Sequence, residues 1–468
     1  MPNLDRRAVR TLASSLGILA LVLIGSTTQA RTERPNILFL LVDDQRNDTL
    51  GCAGHPIVKT PVVDSLAAEG VRFRNAFVTT SICAASRASI LTGVYERTHG
   101  YTFGKPPIRV AHMAKSYPAV LKEAGYRTGF IGKYGVRTED KPEREIFDVF
   151  KPSPYYYILE QPDGSKRHAT EIKGDQAIKF LKDNPHGKPF CLSISFNAPH
   201  AVDGDLEDHY PWPKATEGMY ENVKIPAPRL GNSSIFDNHP EFLKDSMNRI
   251  RYGWRWDTPE KYQKNMKGYF RMLSGIDRVI GRIRNELENL DLDGSTVIIY
   301  MGDNGYYMGD RGFAGKWSHY EQSLRVPLII YDPRMPKEQH GEVKDMMALN
   351  IDVPATMIAL GGAEIPKHYQ GRNLRSSLQS EDDHDGRVDF FCEHLMDHQN
   401  IPKWEGVRGN RHVYARYFEQ QPVYEYLHDL DTDPDQLVNF ASHSEYQKIL
   451  KRMRIRCDEL KSLYESSE

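Results

Sequence analysis

The sequence lacks an excess of charge of either sign: 61 basic and 63 acidic residues among 468 leave a formal charge of −2. This balance excludes nucleic acid or an anionic membrane surface as a partner held through bulk charge, so any polyanion must be bound by local basic residues. Internal repeats are absent as well. Cysteine is scarce. The chain has five cysteines, and because this number is odd, at least one of them stays outside any disulfide, as expected of a cysteine reserved for chemistry.

The sequence also lacks a hydrophobic run of the length typical of a transmembrane helix. The apolar run near the N-terminus has instead the length of a signal-peptide core. Arg6, Arg7 and Arg10 precede an apolar run over Leu12–Ile24, and small residues that suit cleavage follow. The run is too short for a comfortable transmembrane helix, although an uncleaved anchor is the alternative. The sequence therefore predicts a signal peptide over residues 1–30. We expect a periplasmic or secreted protein with no stable membrane association after cleavage.

Continuous apolar runs predict strands buried on both faces of a parallel sheet. They occur at Asn36–Val42, Phe190–Phe196, Thr296–Met301 and Pro327–Tyr331. Helical patterns lie between these runs, and one long helix is predicted from six apolar residues on a shared face: Tyr269, Leu273, Ile276, Ile280, Ile283 and Leu287. Shorter helices are predicted after Pro61, around residues 114–124 and over Asp352–Leu360. This alternation predicts an α/β fold whose mostly parallel central sheet is flanked by helices.

The composition changes twice along the chain. From Ala201 to Trp256 the periodicity is lost, which is typical of a functional insertion, here near the mouth of a site. A break around Ser376–Gly386, rich in Ser, Asp and Glu, separates a large first domain, residues 31–380, from a smaller second domain, residues 381–468. The second domain is predicted to be α+β with an antiparallel sheet and a closing helix, formed by Val413–Phe418, Val423–Leu430 and Glu445–Tyr464.

Polar clusters follow three of the predicted strands. They are Asp43-Asp44, the segment Asn197–His200, and Asp303-Asn304. Because the carboxyl ends of parallel strands meet at one edge of a sheet, these clusters are expected to converge on a single active site.

The oxygen atoms of Asp43, Asp44, Asp303 and Asn304 are hard ligands, which select Ca²⁺ or Mg²⁺ and not zinc. An Asp pair is commonly a solvated loop or a helix cap. Directly after a buried strand, however, adjacent carboxylates repel each other unless a cation intervenes.

The segment Cys83–Arg87, CAASR, followed by ASILTG, lies where a strand passes into a helix. A thiolate there could be activated by Arg87 and by the helix N-terminus, but a catalytic thiolate does not normally need a hard cation beside it. The segment resembles the C-x-[P/A]-x-R signature of the type I sulfatases, which belong to the alkaline phosphatase superfamily. The resemblance implies that Cys83 is oxidised to formylglycine (3-oxoalanine) by a maturation enzyme.

Two further blocks extend this resemblance. Gly125–Lys133, GYRTGFIGK, is similar to the family's second signature, and the stretch from Gly309 to Ile330 is similar to a third block. The resemblance implies that Lys133 and Lys316 bind the sulfate, and that His200 protonates the leaving oxygen. It spans roughly residues 35–374, and more loosely the segment LHDLDTDP at 427–434.

The resemblance also implies the chemistry of the site. One calcium ion would be held by Asp43, Asp44, Asp303 and Asn304 together with residue 83. One hydroxyl of the hydrated aldehyde attacks sulfur, Arg87 stabilises that hydroxyl, and the second hydroxyl later expels sulfate.

Two positions depart from the family pattern. Gly135 stands where the family usually has a histidine that assists breakdown of the sulfated intermediate. Another group must then take that proton, with His319 and Arg137 as unranked candidates, or the step is slow. Ala85 stands where many members have proline, which leaves open the maturation system that acts on Cys83.

The predicted substrate is a sulfated carbohydrate derived from a polysaccharide or a glycosaminoglycan, although small aryl sulfates stay open. Export, the insertion and the residues Glu393-His394 and Trp404–Arg408 favour a sugar. His319, His394 and Arg408 are the predicted substrate-binding residues. The alternatives are a phosphodiester or phosphonate hydrolase of the same superfamily, a catalytically silent protein that binds sulfated glycans, and a plain cysteine hydrolase.

Overall fold

The structure is a computed structural model that describes residues 34–379 and 386–465. The predicted signal peptide lies outside these residues. Among them, no helix combines the length and the apolar character needed to cross a bilayer.

Fourteen strands form within the described residues. They are β1 Asn36–Val42, β2 Val71–Phe77, β3 Arg127–Gly132, β4 Val149–Pro152, β5 Ile158–Glu160, β6 Lys166–His168, β7 Phe190–Phe196, β8 Thr296–Gly302, β9 Leu328–Tyr331, β10 Glu342–Leu349, β11 Asp389–His394, β12 Trp404–Gly409, β13 His412–Tyr417 and β14 Tyr424–Asp429. Eight of them make the central sheet, in the order β10-β2-β9-β8-β1-β7-β3-β4. Strand β9 is antiparallel to β2 and β8, and all the other neighbours are parallel.

Helices cover both faces of this sheet. The α-helices are α1 Pro61–Glu69, α2 Cys83–Thr92, α3 Glu96–His99, α4 Val110–Met113, α5 Tyr117–Glu123, α6 Glu143–Ile146, α7 Ala169–Lys182, α8 Ser233–Asp237, α9 Glu241–Lys244, α10 Met247–Arg255, α11 Pro259–Asn289, α12 Glu321–Leu324, α13 Asp352–Leu360, α14 Arg375–Gln379 and α15 Gln447–Glu465.

Strand β1 lies at the centre of the core and is buried along its whole length. Because successive side chains point to opposite faces, Phe39 packs in one hydrophobic cluster with residues of α2, α5 and α13. Its neighbour Leu40 packs in a second cluster with residues of α1, α7 and α11. The predicted fold class, a mostly parallel sheet between helices with a small antiparallel sheet, is confirmed.

The small sheet has the order β11-β12-β13-β14, and helix α15 packs against it. It is joined to the rest of the chain by buried polar contacts. The indole Nε1 of Trp404 donates to the main-chain oxygen of Trp317 at 2.9 Å. Arg97, in α3, donates to the carboxylate of Glu393 at 2.8 Å and to that of Glu405 at 2.8 Å.

We expect Arg97→Ala to lower the free energy of unfolding by about 3–5 kcal/mol, because it leaves the buried carboxylate of Glu393 without its counter-ion and leaves Glu405 with Arg416 and Lys461 only. Glu393 is fully buried and Glu405 is 2% exposed. Chemical denaturation followed by tryptophan fluorescence measures the change. Arg74→Ala is the control, since Arg74 and its partner Asp345 have side chains that are 52% and 60% exposed and should contribute less than about 1 kcal/mol.

Candidate active site

The carboxyl ends of five parallel strands carry the residues that the sequence singled out. Strand direction explains why positions far apart in the chain meet at one edge of the sheet. The residues are Asp43 and Asp44 after β1, Cys83 after β2, Lys133 after β3, His200 after β7, and Asp303 and Asn304 after β8. Lys316 lies in the buried loop between β8 and α12.

Three carboxylates form the centre of the site and are essentially inaccessible to solvent: Asp43, Asp44 and Asp303. Asp44 has a φ of +52°, in the left-handed region that few non-glycine residues adopt. Its main-chain N–H donates to Asp303 Oδ1 at 3.2 Å, and its carbonyl accepts from the Tyr269 hydroxyl at 2.8 Å. These two hydrogen bonds hold the turn, which places the two neighbouring aspartates around the end of β8.

Each carboxylate is paired with a different cation. Arg87 Nε donates to Asp303 Oδ2 at 2.8 Å. The Lys133 ammonium donates to Asp43, and the Lys316 ammonium donates to Asp44. Three negative and three positive groups therefore balance, so a bound divalent cation would leave the site with net positive charge, which suits an anionic substrate.

The pKa values of Asp43 and Asp303 are shifted in opposite directions by burial and by the neighbouring charges. Burial raises the pKa of Asp43, but the charges of Lys133, His200, Arg87 and Lys316 outweigh it and hold that pKa below the usual range. For Asp303 the balance is reversed, because burial and the charge of Asp43 raise its pKa. A cation between Asp43 and Asp303 would stabilise Asp303 as an anion against the effect of burial and of the Asp43 charge.

The donor set fits a hard divalent cation. Two buried oxygens, Asp43 Oδ1 and Asn304 Oδ1, have no hydrogen-bond partner within the described chain. The ligand atoms of Asp43, Cys83 and Asp303 lie within 4.8 Å of one another, as do those of Asp43, Asp44 and His200. Three carboxylates and one amide oxygen are ligands that Ca²⁺ and Mg²⁺ prefer.

Cys83 is the first residue of α2 and is 7% exposed. Burial raises the pKa of its thiol above the ordinary value, in spite of the opposing charges of Lys133 and Lys316. An unmodified Cys83 is therefore protonated at neutral pH and is a poor nucleophile, which argues against a plain cysteine hydrolase.

His200 follows β7 and faces the carboxylates with one ring nitrogen. Its Nδ1 donates to the main-chain oxygen of Ala201 at 2.7 Å, and its Nε2 lies 3.7 Å from Asp44 Oδ2. The hydroxyl of Tyr157 contacts the main-chain oxygens of Asn197 and His200 at 2.8 and 2.6 Å. Burial lowers the pKa of His200 to about 4, so the ring is neutral at pH 7 with Nε2 free to exchange a proton.

Gly135 has a left-handed backbone, with φ +73°. A Cβ placed there would lie 2.9 Å from Arg87 Cδ and 3.6 Å from Lys133 Cε. A larger side chain at this position would therefore project over the arginine and lysine of the site. Gly135 itself is exposed to solvent.

The three predicted substrate-binding residues lie elsewhere, where the small sheet meets the rest of the fold. Both ring nitrogens of His319 are engaged, by the Tyr417 hydroxyl at 3.0 Å and by His428 at 3.1 Å. Arg408 donates to Glu321 at 3.0 Å, and its guanidinium lies over Phe77. His394 is fully buried at the end of β11. The structure does not bring these residues to the carboxylates, and their role in substrate binding stays a prediction.

Sequence reasoning missed several residues beside the site. Ser195, on β7, accepts from Arg87 and so helps to fix the guanidinium. Ser195 lies near the carboxyl end of β7, two residues before the polar segment Asn197–His200, and this position is a signal from which it could have been predicted. Asp203 and Arg251 form an ion pair at 2.6 Å close to His200. They lie in the segment without periodicity, which offers no such signal.

A family model described as Sulfatase matches residues 35–363, and a second, described as N-sulphoglucosamine sulphohydrolase, C-terminal, matches residues 309–463. The first match covers most of the chain. The chain belongs to the sulfatase family of the alkaline phosphatase superfamily, and it is a sulfatase.

Among its relatives, the chain is 26% identical over 533 aligned residues to N-acetylglucosamine-6-O-sulfatase of Bacteroides thetaiotaomicron, covering 98% of this chain and 92% of the relative. It is similar to a solved structure of an enzyme in complex with its substrate D-glucosamine-2-N,6-O-disulfate, with a TM-score of 0.76, 25% identity, and coverage of 92% and 98%. The phosphonate monoester hydrolase of Agrobacterium radiobacter shares the fold, with a TM-score of 0.78, 21% identity, and coverage of 92% and 96%.

Proposed function

We propose that this protein is an exported, calcium-dependent sulfatase that removes sulfate from a sulfated carbohydrate, with a formylglycine made from Cys83. The observation that carries the proposal is the meeting of Cys83 with the carboxylates of Asp43 and Asp303 within 4.8 Å. A nucleophile position and a hard-cation site in one buried pocket suit hydrolysis of an anionic ester. The signal peptide predicted over residues 1–30 favours the periplasm or the outside of the cell.

A carbohydrate substrate is favoured by two matches, each of which covers more than nine-tenths of both proteins. One is an N-acetylglucosamine-6-O-sulfatase, and the other binds D-glucosamine-2-N,6-O-disulfate as its substrate. A glycosaminoglycan fragment or a related sulfated sugar is therefore the proposed substrate class. Conversion of Cys83 requires a formylglycine-generating maturation enzyme as a partner.

The chain's own residues divide the work. Calcium, held by Asp43, Asp44, Asp303 and Asn304 with residue 83, would offset the negative charge that develops on the sulfate oxygens. The remaining proposed roles belong to cations around that centre: Lys133 and Lys316 bind sulfate oxygens, and Arg87, fixed by Asp303, orients the group at residue 83. Because the neutral ring of His200 carries its hydrogen on Nδ1, Nε2 must first take up a proton from solvent, which the negative charge of a bound ester favours, and can then pass it to the leaving oxygen. The bond from Nδ1 to Ala201 fixes the ring.

The test is a substrate panel with protein purified from its native host: N-acetylglucosamine 6-O-sulfate, D-glucosamine-2-N,6-O-disulfate, 4-nitrophenyl sulfate, and a matched aryl phosphonate and phosphodiester. We expect release of sulfate from the sugars when calcium is present and loss of release after chelation. Faster turnover of the phosphonate or the phosphodiester would instead assign the protein to the rival hydrolase activity. No turnover of any member, with unmodified Cys83, would support a silent binding protein.

We expect Lys316→Ala to lower kcat/KM for sulfate esters by roughly 10- to 100-fold, because a charge-assisted contact contributes about 1.5–3 kcal/mol. The ammonium is 2% exposed and pairs with Asp44 at the centre of the site. Steady-state kinetics with and without inorganic sulfate as an inhibitor measure both the rate and the affinity.

Lys179→Ala is the control, since Lys179 is an exposed residue of α7 with a side chain that is 76% accessible. Its kinetics should equal those of the wild type. Unaltered rate and sulfate affinity in Lys316→Ala would remove this lysine from the proposed site.

A further inference from the structure

A second polar cluster lies beside Lys316 and beside His200, the proposed proton donor to the leaving oxygen. It is built from Tyr155, from Asp203 in the loop after β7, from Arg251 in α10, and from Trp317 in the loop after β8. We call these four residues the leaving-group patch. None of them is needed for the calcium site or the sulfate contacts described above.

Asp203 is held rigidly at the centre of this patch. One carboxylate oxygen accepts from Arg251 at 2.6 Å, and the other accepts from Arg255. Arg255 is itself fully buried and donates to the Tyr306 hydroxyl at 3.1 Å. The Asp203 side chain nevertheless keeps 29% of its surface exposed. It is therefore oriented by the protein and still open to a ligand.

The patch adjoins the two residues that act on the ester. The Arg251 guanidinium lies over the Trp317 ring at 4.7 Å, and Trp317 directly follows Lys316. The Tyr155 hydroxyl lies 3.3 Å from His200 Nδ1, and 45% of that tyrosine is exposed. A group bonded to the ester oxygen near His200 Nε2 would meet these side chains next.

The patch also has hydrogen-bonding groups without partners. Arg251 Nε and Trp317 Nε1 are buried donors that no acceptor of the described chain satisfies. Burial raises the pKa of Asp203, but His200, Arg251, Arg255 and Lys316 outweigh it, so the carboxylate is ionised at neutral pH. A fixed anionic acceptor next to unmatched donors is complementary to groups that both donate and accept, which is the property of an alcohol.

We propose that the leaving-group patch binds the hydroxyl groups of a pyranose ring, and that Asp203 makes the enzyme prefer sugar sulfates to aryl sulfates. This inference rests on the proposed sulfatase function and adds the chemistry of the leaving group to it. A phenolic leaving group has no hydroxyl to accept or donate these bonds, whereas each pyranose hydroxyl beside the ester can do both. A site built for such hydroxyls loses much of its rate with a substrate that lacks them.

The first experiment compares kcat/KM for N-acetylglucosamine 6-O-sulfate and for 4-nitrophenyl sulfate in the wild type and in Asp203→Ala. We expect the sugar value to fall by about 10- to 100-fold and the sugar-to-aryl ratio to fall at least about tenfold. Equal losses on both substrates would overturn the inference. So would a wild-type enzyme that hydrolyses only the aryl sulfate, an outcome that leaves the sulfatase assignment intact.

The second experiment uses the 3-deoxy and 4-deoxy analogues of the same sugar sulfate. Wild-type kcat/KM should fall about tenfold or more with at least one analogue, and Asp203→Ala should be nearly insensitive to the same change. Additive effects of the substitution and the missing hydroxyl would contradict a direct contact.

Two further variants distinguish a loss of the proposed sugar contact from a loss of folding. Asp203→Asn preserves the shape and one acceptor for Arg255, and it should show the same change of ratio to a smaller extent. Asp205→Ala is the matched control two residues along the loop, where the exposed carboxylate caps Glu207 and Asp208, and its kinetics should not change. Circular dichroism melting of all variants verifies the fold.

Discussion

Replacing Cys83 with alanine is expected to abolish hydrolysis of sulfate esters, with kcat lowered by about 10⁴-fold or more, because the nucleophile is lost while the charges around it stay in place. Cys83 is buried at the start of α2, and its removal leaves the pairs of Arg87 and Lys133 with the carboxylates intact. The fold and sulfate binding should therefore persist. Sulfate release from a sugar sulfate and equilibrium binding of the unhydrolysed substrate measure the two properties separately.

Cys191→Ala is the matched control, since Cys191 is equally buried, on β7, and lies away from the carboxyl ends of the strands. It should lower stability slightly and leave kcat unchanged. Activity retained in Cys83→Ala would refute the assignment of the nucleophile. The mass of the peptide that contains Cys83, from protein made in the native host, adds a direct readout: an unmodified thiol would favour the silent binding protein.

The strands buried on both faces could be predicted from sequence, because residues on both faces are apolar and each strand therefore appears as a continuous apolar run. β1 and β7 begin and end at the predicted residues, and β8 is one residue longer than predicted. Four strands of the central sheet, β2, β3, β4 and β10, were not predicted, and β2 and β10 show one reason. Their burial is partial, with arginine, lysine and acidic residues among the apolar ones, so neither a continuous run nor a strict alternation marks them.

Long helices were predicted better than short ones. The six apolar residues from Tyr269 to Leu287 lie within α11, and α13 has the predicted bounds. The short helix predicted around residues 114–124 corresponds to α5, and the shorter α4, which ends just before that region, was not predicted. In the segment from Ala201 to Trp256, α8 and α9 have five and four residues and are too short to produce a periodic signal.

The candidate site was predictable to the extent that strand direction determines it. Asp43, His200 and Asp303 meet because the ends of parallel strands meet, a rule that needs no knowledge of the loops between. The leaving-group patch was not predictable, because Asp203 and Arg251 are 48 residues apart and approach through loop and helix packing. Glu393 and Trp404 belong to the segments predicted to favour a sugar substrate, and both are fully buried where the small sheet joins the fold.

The second large effect is expected for Asp303→Ala, which should weaken calcium binding by more than about 100-fold and remove activity at ordinary calcium concentrations. Asp303 supplies a buried carboxylate to the proposed calcium site and also holds Arg87 at 2.8 Å. Its loss leaves two carboxylates, Asp43 and Asp44, against the three cations, so the remaining centre has a positive charge that repels a divalent ion. Bound calcium measured by atomic emission, together with kcat over a calcium titration, tests this.

Asp303→Asn separates charge from shape, since the amide keeps an oxygen ligand and a contact for Arg87. We expect it to bind calcium more weakly than the wild type and more tightly than the alanine variant, with activity that recovers at high calcium. Asp345→Ala is the control, because that carboxylate is 60% exposed and pairs at the surface with Arg74. Calcium content equal to that of the wild type in Asp303→Ala would place the ion elsewhere. The proposed role of the residues at the ends of β1 and β8 as calcium ligands would then fail, and Asp43 and Asp44 would be left with their pairing to Lys133 and Lys316 alone.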